Sequence, residues 1–156
     1  MKLKPEQEQQ ALAILKQLPL FAGCSDEQIQ ALAAQLDSRT AAKGKVIMMD
    51  QEIGKTLYVI VQGSVGIWKR LGGEKKRLAT LQAPDFVGER SMFEQTPASA
   101  LVKAEEDCLI YALERPLFDS VVQKFPSISV IIRMNMEIVR ATRITPATPP
   151  PPADPL

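Results

Sequence analysis

The residues best suited to chemistry lie in one short stretch between residues 85 and 104. Gly88 is followed directly by Glu89, and a second group, Pro97-Ala98-Ser99-Ala100, follows shortly after. A glycine lets a ligand or another backbone approach closely. Residues 89–93 can form one helical turn, and free amides at a helix start attract anions. The Glu89 carboxylate can accept hydrogen bonds from two sugar hydroxyl groups. The pattern favours binding of a small molecule, and we assign no catalytic role to any residue.

The composition excludes several common kinds of catalysis. The chain has no histidine, so it lacks Ser–His and Cys–His nucleophile pairs and the commonest general base and metal ligand. Its two cysteines, Cys24 and Cys108, are too few for a structural zinc site. We expect two buried free thiols in a reducing compartment, with a disulfide as the alternative. An enzyme built on a metal-holding barrel is disfavoured, and no metal or cofactor is expected.

The bulk properties indicate one soluble domain. With 156 residues, of which 46% are hydrophobic, the chain can bury one core. A net charge of +1 gives no overall field that attracts nucleic acid or a membrane. No stretch approaches the roughly 18 apolar residues that span a bilayer, and the N-terminus has no apolar signal region. We therefore expect a cytoplasmic protein without a membrane segment.

Three zones must position the candidate site. Short strand-like runs separated by glycine turns, at a spacing of roughly 8–12 residues, are typical of a sandwich or barrel. Residues Ser25–Gln28 form a capping-box sequence that starts a helix. The sequence predicts an α+β fold, an antiparallel and jelly-roll-like β-barrel between N-terminal and C-terminal helices. We predict one domain over residues 1–144, with helices in 5–37, the barrel in 38–113, helices in 114–144, and a proline-rich flexible tail in 145–156.

The last helix carries more apolar residues than one packed face requires. They are Ile128, Val130, Ile131, Ile132, Met134, Met136, Ile138 and Val139. One side can pack on the barrel, and the other side needs a ligand pocket, a second copy of the helix or a different protein. We predict a homodimer through this helix, with a protein partner as the alternative.

A hairpin near residues 69–77 carries five cations, namely Lys69, Arg70, Lys75, Lys76 and Arg77. It could contact an anionic partner, although a solvated hairpin that discourages strand-edge aggregation is the favoured interpretation. Too few residues follow the last helix to form a helix-turn-helix reader. We therefore expect no DNA-binding domain, and a nucleic-acid binder is disfavoured.

Across residues 12–143 the sequence resembles the cyclic-nucleotide-binding-domain family. That family carries a phosphate-binding cassette of the form F-x-G-E-x-x-L, followed by P-R-S/T-A. Gly88, Glu89, Pro97, Ser99 and Ala100 match this cassette. The entry segment L-P-L-F-A-G-C-S-D-E-Q-I is also similar to the family's, while Gln51 stands where glycine is usual.

The resemblance implies a role for each matching residue. Glu89 would hold the ribose 2′-hydroxyl, the amides after Gly88 and the Ser99 hydroxyl would face the cyclic phosphate, and Ala100 would line the pocket. Ala98 stands where the family places its phosphate-binding arginine. The candidate ligand-binding residues are therefore Gly88, Glu89, Arg90, Ser91, Ala98, Ser99 and Ala100.

Ala98 determines how much binding we expect. A charge-assisted hydrogen bond contributes about 1.5–3 kcal/mol, so its loss weakens binding on the order of 10- to 150-fold. Arg90, Lys103 and Lys55 are candidate substitutes, although solvated surface charges are the favoured interpretation of all three. We predict a non-enzymatic ligand-sensing module for a cyclic nucleotide or other small anion, with weak or absent binding of cyclic AMP and cyclic GMP. The alternative is a degenerate dimerisation or scaffold domain that binds no nucleotide.

Overall fold

A computed structural model describes residues 1–144 of the chain. The proline-rich tail predicted for residues 145–156 lies outside the described residues. Among the helices of the described part, none is both long and apolar enough to cross a bilayer.

Four α-helices flank the strands on both sides in sequence. They are α1 (Pro5–Gln17), α2 (Asp26–Ala33), α3 (Arg115–Lys124) and α4 (Ser127–Ile144), and a short 3-10 turn, Pro19–Phe21, joins α1 to α2. The predicted capping box of α2 is confirmed. The Gln28 N–H donates to Ser25 Oγ at 3.2 Å, and the Ser25 N–H donates to Gln28 Oε1 at 2.9 Å. Helix α2 ends at Ala33, and Asp37 begins the first strand.

Eight strands form the central part of the domain. They are β1 (Asp37–Ala41), β2 (Val46–Met48), β3 (Thr56–Gln62), β4 (Ser64–Leu71), β5 (Glu74–Gln82), β6 (Asp85–Val87), β7 (Leu101–Ala104) and β8 (Cys108–Glu114). The α+β, jelly-roll-like fold is confirmed, and all strand pairs are antiparallel. The predicted barrel is not a closed one. The strands form two four-stranded sheets, ordered β1-β8-β3-β6 and β2-β7-β4-β5, instead of one continuous hydrogen-bonded cylinder.

Two hydrophobic clusters hold the domain together. The larger joins the helices to the sheet that contains β3 and β8, through fully buried side chains such as Leu15, Ile29, Phe86 and Tyr111. The smaller lies between the two sheets and includes Ile60, Val65, Val102 and Ile110. Because the smaller cluster fills only part of the space between the sheets, a cavity remains there, and the candidate site lies along it.

Helix α4 is anchored to the N-terminal part of the chain. The Asn135 side-chain amide donates to the carbonyl oxygens of Leu20 at 2.9 Å and of Ala22 at 2.8 Å. Ile128 and Ile132 are buried on this side. On the other side, Val130, Met134 and Ile138 are 57%, 63% and 63% exposed. The prediction that α4 carries more apolar residues than one packed face can bury is confirmed.

Both cysteines are free thiols, as expected. Cys108 is buried and its Sγ donates to the Ser64 carbonyl oxygen at 3.3 Å, whereas Cys24 is only half-buried. Burial raises the pKa of both thiols. Neither cysteine lines the cavity between the sheets.

Candidate functional site

A cavity of about 460 Å³ opens between the two sheets. This volume lies within the range of roughly 300–1,000 Å³ that is typical of small-molecule sites. Most of its wall is apolar and comes from alternate residues of the strands, namely Met48, Ile67, Ala79, Leu81, Val87 and Val102. Its polar groups come from the segment that joins β6 to β7. An apolar chamber with a few polar groups suits a ligand with an apolar body and a polar end.

Gly88 sets the geometry of the polar segment. Its φ is +84°, in the left-handed region, and it precedes a single 3-10 turn over Glu89–Met92. A Cβ atom at this position would lie 2.5 Å from the Thr56 carbonyl oxygen. Any other residue would therefore be strained and would collide with the backbone of β3. The glycine allows the chain to leave β6 against β3 and turn towards the cavity.

The 3-10 turn brings Glu89 to the cavity wall. Glu89 is half-buried, and one of its carboxylate oxygens, Oε2, is shielded from solvent. Within the turn, the Ser91 N–H donates to the Gly88 carbonyl oxygen at 3.0 Å. The Ser91 amide is thus engaged inside the turn, whereas the amides of Glu89 and Arg90 precede the first hydrogen bond of the turn.

The second polar group is fixed by the loop between β2 and β3. The Ala98 N–H donates to the Glu52 carbonyl oxygen, and the Gln51 N–H donates to the Ala98 carbonyl oxygen, both at 2.9 Å. Gln51 adopts a φ of +71°, which glycine tolerates far better, and this agrees with the expectation that glycine is usual there. The β2–β3 loop therefore holds residue 98 at the cavity while occupying its backbone amide.

All seven sequence-predicted residues line this one cavity: Gly88, Glu89, Arg90, Ser91, Ala98, Ser99 and Ala100. The sequence reasoning missed two polar-segment neighbours, Gly54 and Thr96, and the apolar strand residues of the wall. Gly54 packs so closely on Ser91 that an added Cβ would lie 2.6 Å from Ser91 Oγ. The alternation of apolar residues along β4, β5 and β7 was the available signal for the wall residues.

The three candidate cations differ in position. Arg90 contributes to the cavity lining, but its side chain is 49% exposed and its Nε lies 3.7 Å from Glu94 Oε2. Lys103 points to the outer face of its sheet, where its Nζ lies 5.6 Å from the centre of the Trp68 ring. Lys55 is exposed and does not line the cavity. Of the described residues in the lining, Arg90 is the one cation, and its charge lies beside Glu94.

The polar side chains of the described cavity lining suit hydrogen bonding. Within residues 1–144, no group of three or more histidine, cysteine, aspartate or glutamate side chains is placed to hold a metal ion. The polar lining consists of one carboxylate and several hydroxyl groups, together with the outward-turned Arg90. Such a set can accept and donate hydrogen bonds to a bound molecule.

The polar segment is connected to the C-terminal helices through Phe93, the residue that follows the 3-10 turn. The Phe93 ring packs edge-on against Phe118 of α3, with ring centres 5.5 Å apart. The guanidinium of Arg133, on α4, lies 4.6 Å from the centre of the same ring. None of the described residues of α4 lines the cavity. Phe93 thus contacts both C-terminal helices directly after the 3-10 turn.

Comparisons with known proteins agree with this arrangement. The Cyclic AMP receptor protein of Thermus thermophilus is 28% identical over 131 residues, and the match covers 83% of this chain and 59% of that protein. A cyclic nucleotide-binding domain from Methylobacillus flagellatus superimposes with a TM-score of 0.76 at 22% identity, over 92% of this chain and 85% of that one. The chain thus spans somewhat more than half the length of the curated relative.

A third relative is the regulatory subunit of a cAMP-independent protein kinase A from Trypanosoma brucei. It is 25% identical with a TM-score of 0.70, and the match covers 88% of this chain and 52% of that one. The family description Cyclic nucleotide-binding domain matches residues 38–125, which is more than half of the chain. These residues include both polar groups of the cavity and the whole of its strand wall. On this evidence the chain belongs to the cyclic nucleotide-binding domain family.

Proposed function

We propose that the chain is a non-enzymatic, cytoplasmic regulatory module that senses a small ligand in the cavity between its sheets. The observation that carries the proposal is the convergence of all seven predicted residues on one cavity of ligand size. The family match supports the same conclusion, because the domain type is a regulatory one. The free cysteines are consistent with a reducing compartment.

Cyclic AMP and cyclic GMP bind this module weakly or not at all. Ala98 offers no charge to a phosphate, and the amides of Ala98 and Ser91 are already hydrogen-bonded within the protein. The missing arginine alone weakens binding on the order of 10- to 150-fold. The Trypanosoma brucei relative, described as cAMP-independent, supports a use of this fold without cyclic AMP control.

Ligand binding acts on α4 through Phe93. A ligand that draws the 3-10 turn inwards moves the Phe93 ring, and with it the contacts to Phe118 and Arg133. A ligand shifts such an equilibrium only by its difference in affinity for the two positions of the turn. A partner protein or a second subunit then reads the position of α4.

A thermal-shift screen with cyclic mononucleotides, cyclic dinucleotides, other small anions and uncharged nucleosides tests the sensing function. A ligand at about 100 times its dissociation constant adds about 2.7 kcal/mol to the free energy of unfolding. For any hit, hydrogen exchange in α4 should change, and Arg133→Met should reduce that change while leaving the affinity intact. A chain that no compound stabilises, or a hit without any effect on α4, contradicts the sensor and favours the scaffold domain.

The exposed side of α4 is the proposed dimer contact. Val130, Met134 and Ile138 are spaced four residues apart and form one apolar stripe of defined direction, the α4 stripe. Two copies of one stripe can cover each other through a two-fold axis, which is the commonest arrangement of soluble oligomers.

Light scattering at tens of micromolar tests the dimer. We expect a mass near twice the 17.2 kDa of the chain. Met134→Glu should give monomers, because it places a charge inside the contact, whereas Leu117→Glu, an exposed apolar residue on α3, should leave the dimer intact. A wild-type monomer would contradict the proposed contact and favour a different protein as the partner of α4.

A further inference from the structure

We infer that the natural ligand of the cavity is uncharged: a molecule with an apolar body that donates hydroxyl hydrogen bonds to Glu89. The inference rests on the proposed sensing function and narrows its ligand class. The uncharged character of the ligand follows from the charges and the polarity of the cavity wall.

The end of the cavity that would receive a phosphate is the least suited to a negative charge. Ala98 supplies a methyl group there, and its amide donates to Glu52. The Ser91 amide donates to Gly88. An anion at this position would lose its water without gaining either of these amides or an arginine from position 98, and burying an uncompensated charge is strongly unfavourable.

Arg90 and Lys103 do not correct this deficit. The Arg90 side chain lies against Glu94, with 3.7 Å between Nε and Oε2. Lys103 lies on the other face of the sheet, against Trp68. Glu89 places a carboxylate on the wall of the same cavity, and a carboxylate attracts donors and repels anions.

The rest of the wall selects for an apolar body. Ile67, Leu81, Val87 and Val102 form its largest side chains, while Ala79 and Ala100 leave room between them. Ser91, Thr96 and Ser99 supply the neutral hydroxyl groups of the described lining. Neutral hydroxyl groups can pair with hydroxyl-bearing ligands at no cost in charge burial.

Adenosine and cyclic AMP form a matched pair of probes, because adenosine keeps the base and the ribose and lacks the charged phosphate. Calorimetry on the wild-type chain should give adenosine an affinity at least about 10-fold higher than that of cyclic AMP. The adenosine affinity should stay constant between low and high salt, since screening acts on charges. Removal of the 2′-hydroxyl in 2′-deoxyadenosine should weaken binding.

Variants locate the effect at Glu89. Glu89→Gln should lower the adenosine affinity by about 10-fold, the loss of one charge-assisted hydrogen bond. Glu74→Gln makes the same chemical change at an exposed position outside the cavity lining and should leave the affinity unchanged. An unchanged melting temperature of each variant without ligand shows that the loss is local.

The outcomes separate the inference from the sensing function. Tighter binding of cyclic AMP than of adenosine overturns the inference and leaves the sensor in place. Equal loss in Glu89→Gln and Glu74→Gln also overturns it. If the wild-type chain binds neither probe, the uncharged-ligand assignment fails, and the compound screen with its α4 readout then decides the sensing function separately.

Discussion

The two faces of the sheet formed by β4, β5 and β7 are made of neighbouring residues with opposite chemistry. On the inner face, Ile67 and Val102 line the cavity. One position further along each strand, on the outer face, Trp68 and Lys103 contact each other. Because successive side chains of a strand point to opposite faces, a cation one residue away in sequence is on the wrong side of the sheet. Lys103 therefore adds no charge to the cavity wall, although it follows the lining residue Val102 directly in the sequence.

The outer face is rich in the charge that the cavity lacks. Lys103 Nζ and the guanidinium of Arg77 lie 5.6 Å and 6.0 Å from the Trp68 ring centre, and Arg77 also lies 3.5 Å from Glu105. Farther along the hairpin, Lys69 faces Lys76 and Arg70 faces Lys75 across the strands. Like charges directly opposite are destabilising, and these are tolerated because all four side chains are exposed. The charges of the outer face are solvated by water, and in this respect the outer face differs from the cavity wall.

Replacing a glycine should cost far more stability at the cavity than in the turn between β4 and β5, and this is the largest difference that we predict. Gly88 and Gly73 have nearly the same φ, +84° and +86°, but an added Cβ meets the Thr56 carbonyl oxygen at Gly88 and nothing within 4 Å at Gly73. Gly88→Ala should lower the free energy of unfolding by about 3 kcal/mol, from left-handed strain and the collision together. Gly73→Ala should cost about 1 kcal/mol, from strain alone. Chemical denaturation measures both, and equal costs would show that the Gly88 contact is not tight.

Much of the fold could be predicted because its signals are local. The α2 capping box, the glycine-separated strands and the excess apolar residues of α4 are all readable along the chain. The polar residues of the cavity could be predicted because one short stretch of the sequence resembles the family's phosphate-binding cassette. β1, with the sequence Asp-Ser-Arg-Thr-Ala, lacks an apolar alternation because it is an edge strand that pairs only with β8 among the described strands. The division into two sheets also stayed hidden, since it depends on pairing between distant strands.

The positions of the cations could not be predicted for a related reason. Strand alternation separates Val102 from Lys103, but it does not say which of them faces inwards until the sheets are assembled. The path of the Arg90 side chain depends on Glu94, one turn away on the same segment. The engagement of the Ala98 amide depends on a loop more than forty residues earlier.

Removing an outer-face cation should have a small effect on stability and none on ligand affinity. Lys103→Ala loses the contact with Trp68 and should lower the free energy of unfolding by about 0.5–1 kcal/mol. Affinity for any cavity ligand, measured by calorimetry, should change by less than about 2-fold, because Lys103 lies outside the lining. A large loss of affinity would place the Lys103 charge at the cavity and break the contrast between the faces.

The smallest effect is expected at Gln51, which holds the cavity loop in a left-handed conformation. Gln51→Gly relieves about 1–2 kcal/mol of strain and costs part of that gain, because glycine has more freedom in the unfolded chain. We expect a net rise of about 0.5 kcal/mol in the free energy of unfolding. Thermal denaturation should show a slightly higher Tm, and a lower Tm would mean that the Gln51 side chain stabilises the loop.

The most direct test of the central claim is the affinity of cyclic AMP for the wild-type chain and for Ala98→Arg, measured side by side by calorimetry. Thr80→Arg is the matched control, since it adds the same charge to an exposed position of β5 outside the cavity lining. We predict weak or absent binding by the wild-type chain and by Thr80→Arg, and binding at least about 10-fold tighter by Ala98→Arg. Low-micromolar binding by the wild-type chain, with no gain in Ala98→Arg, would contradict the account.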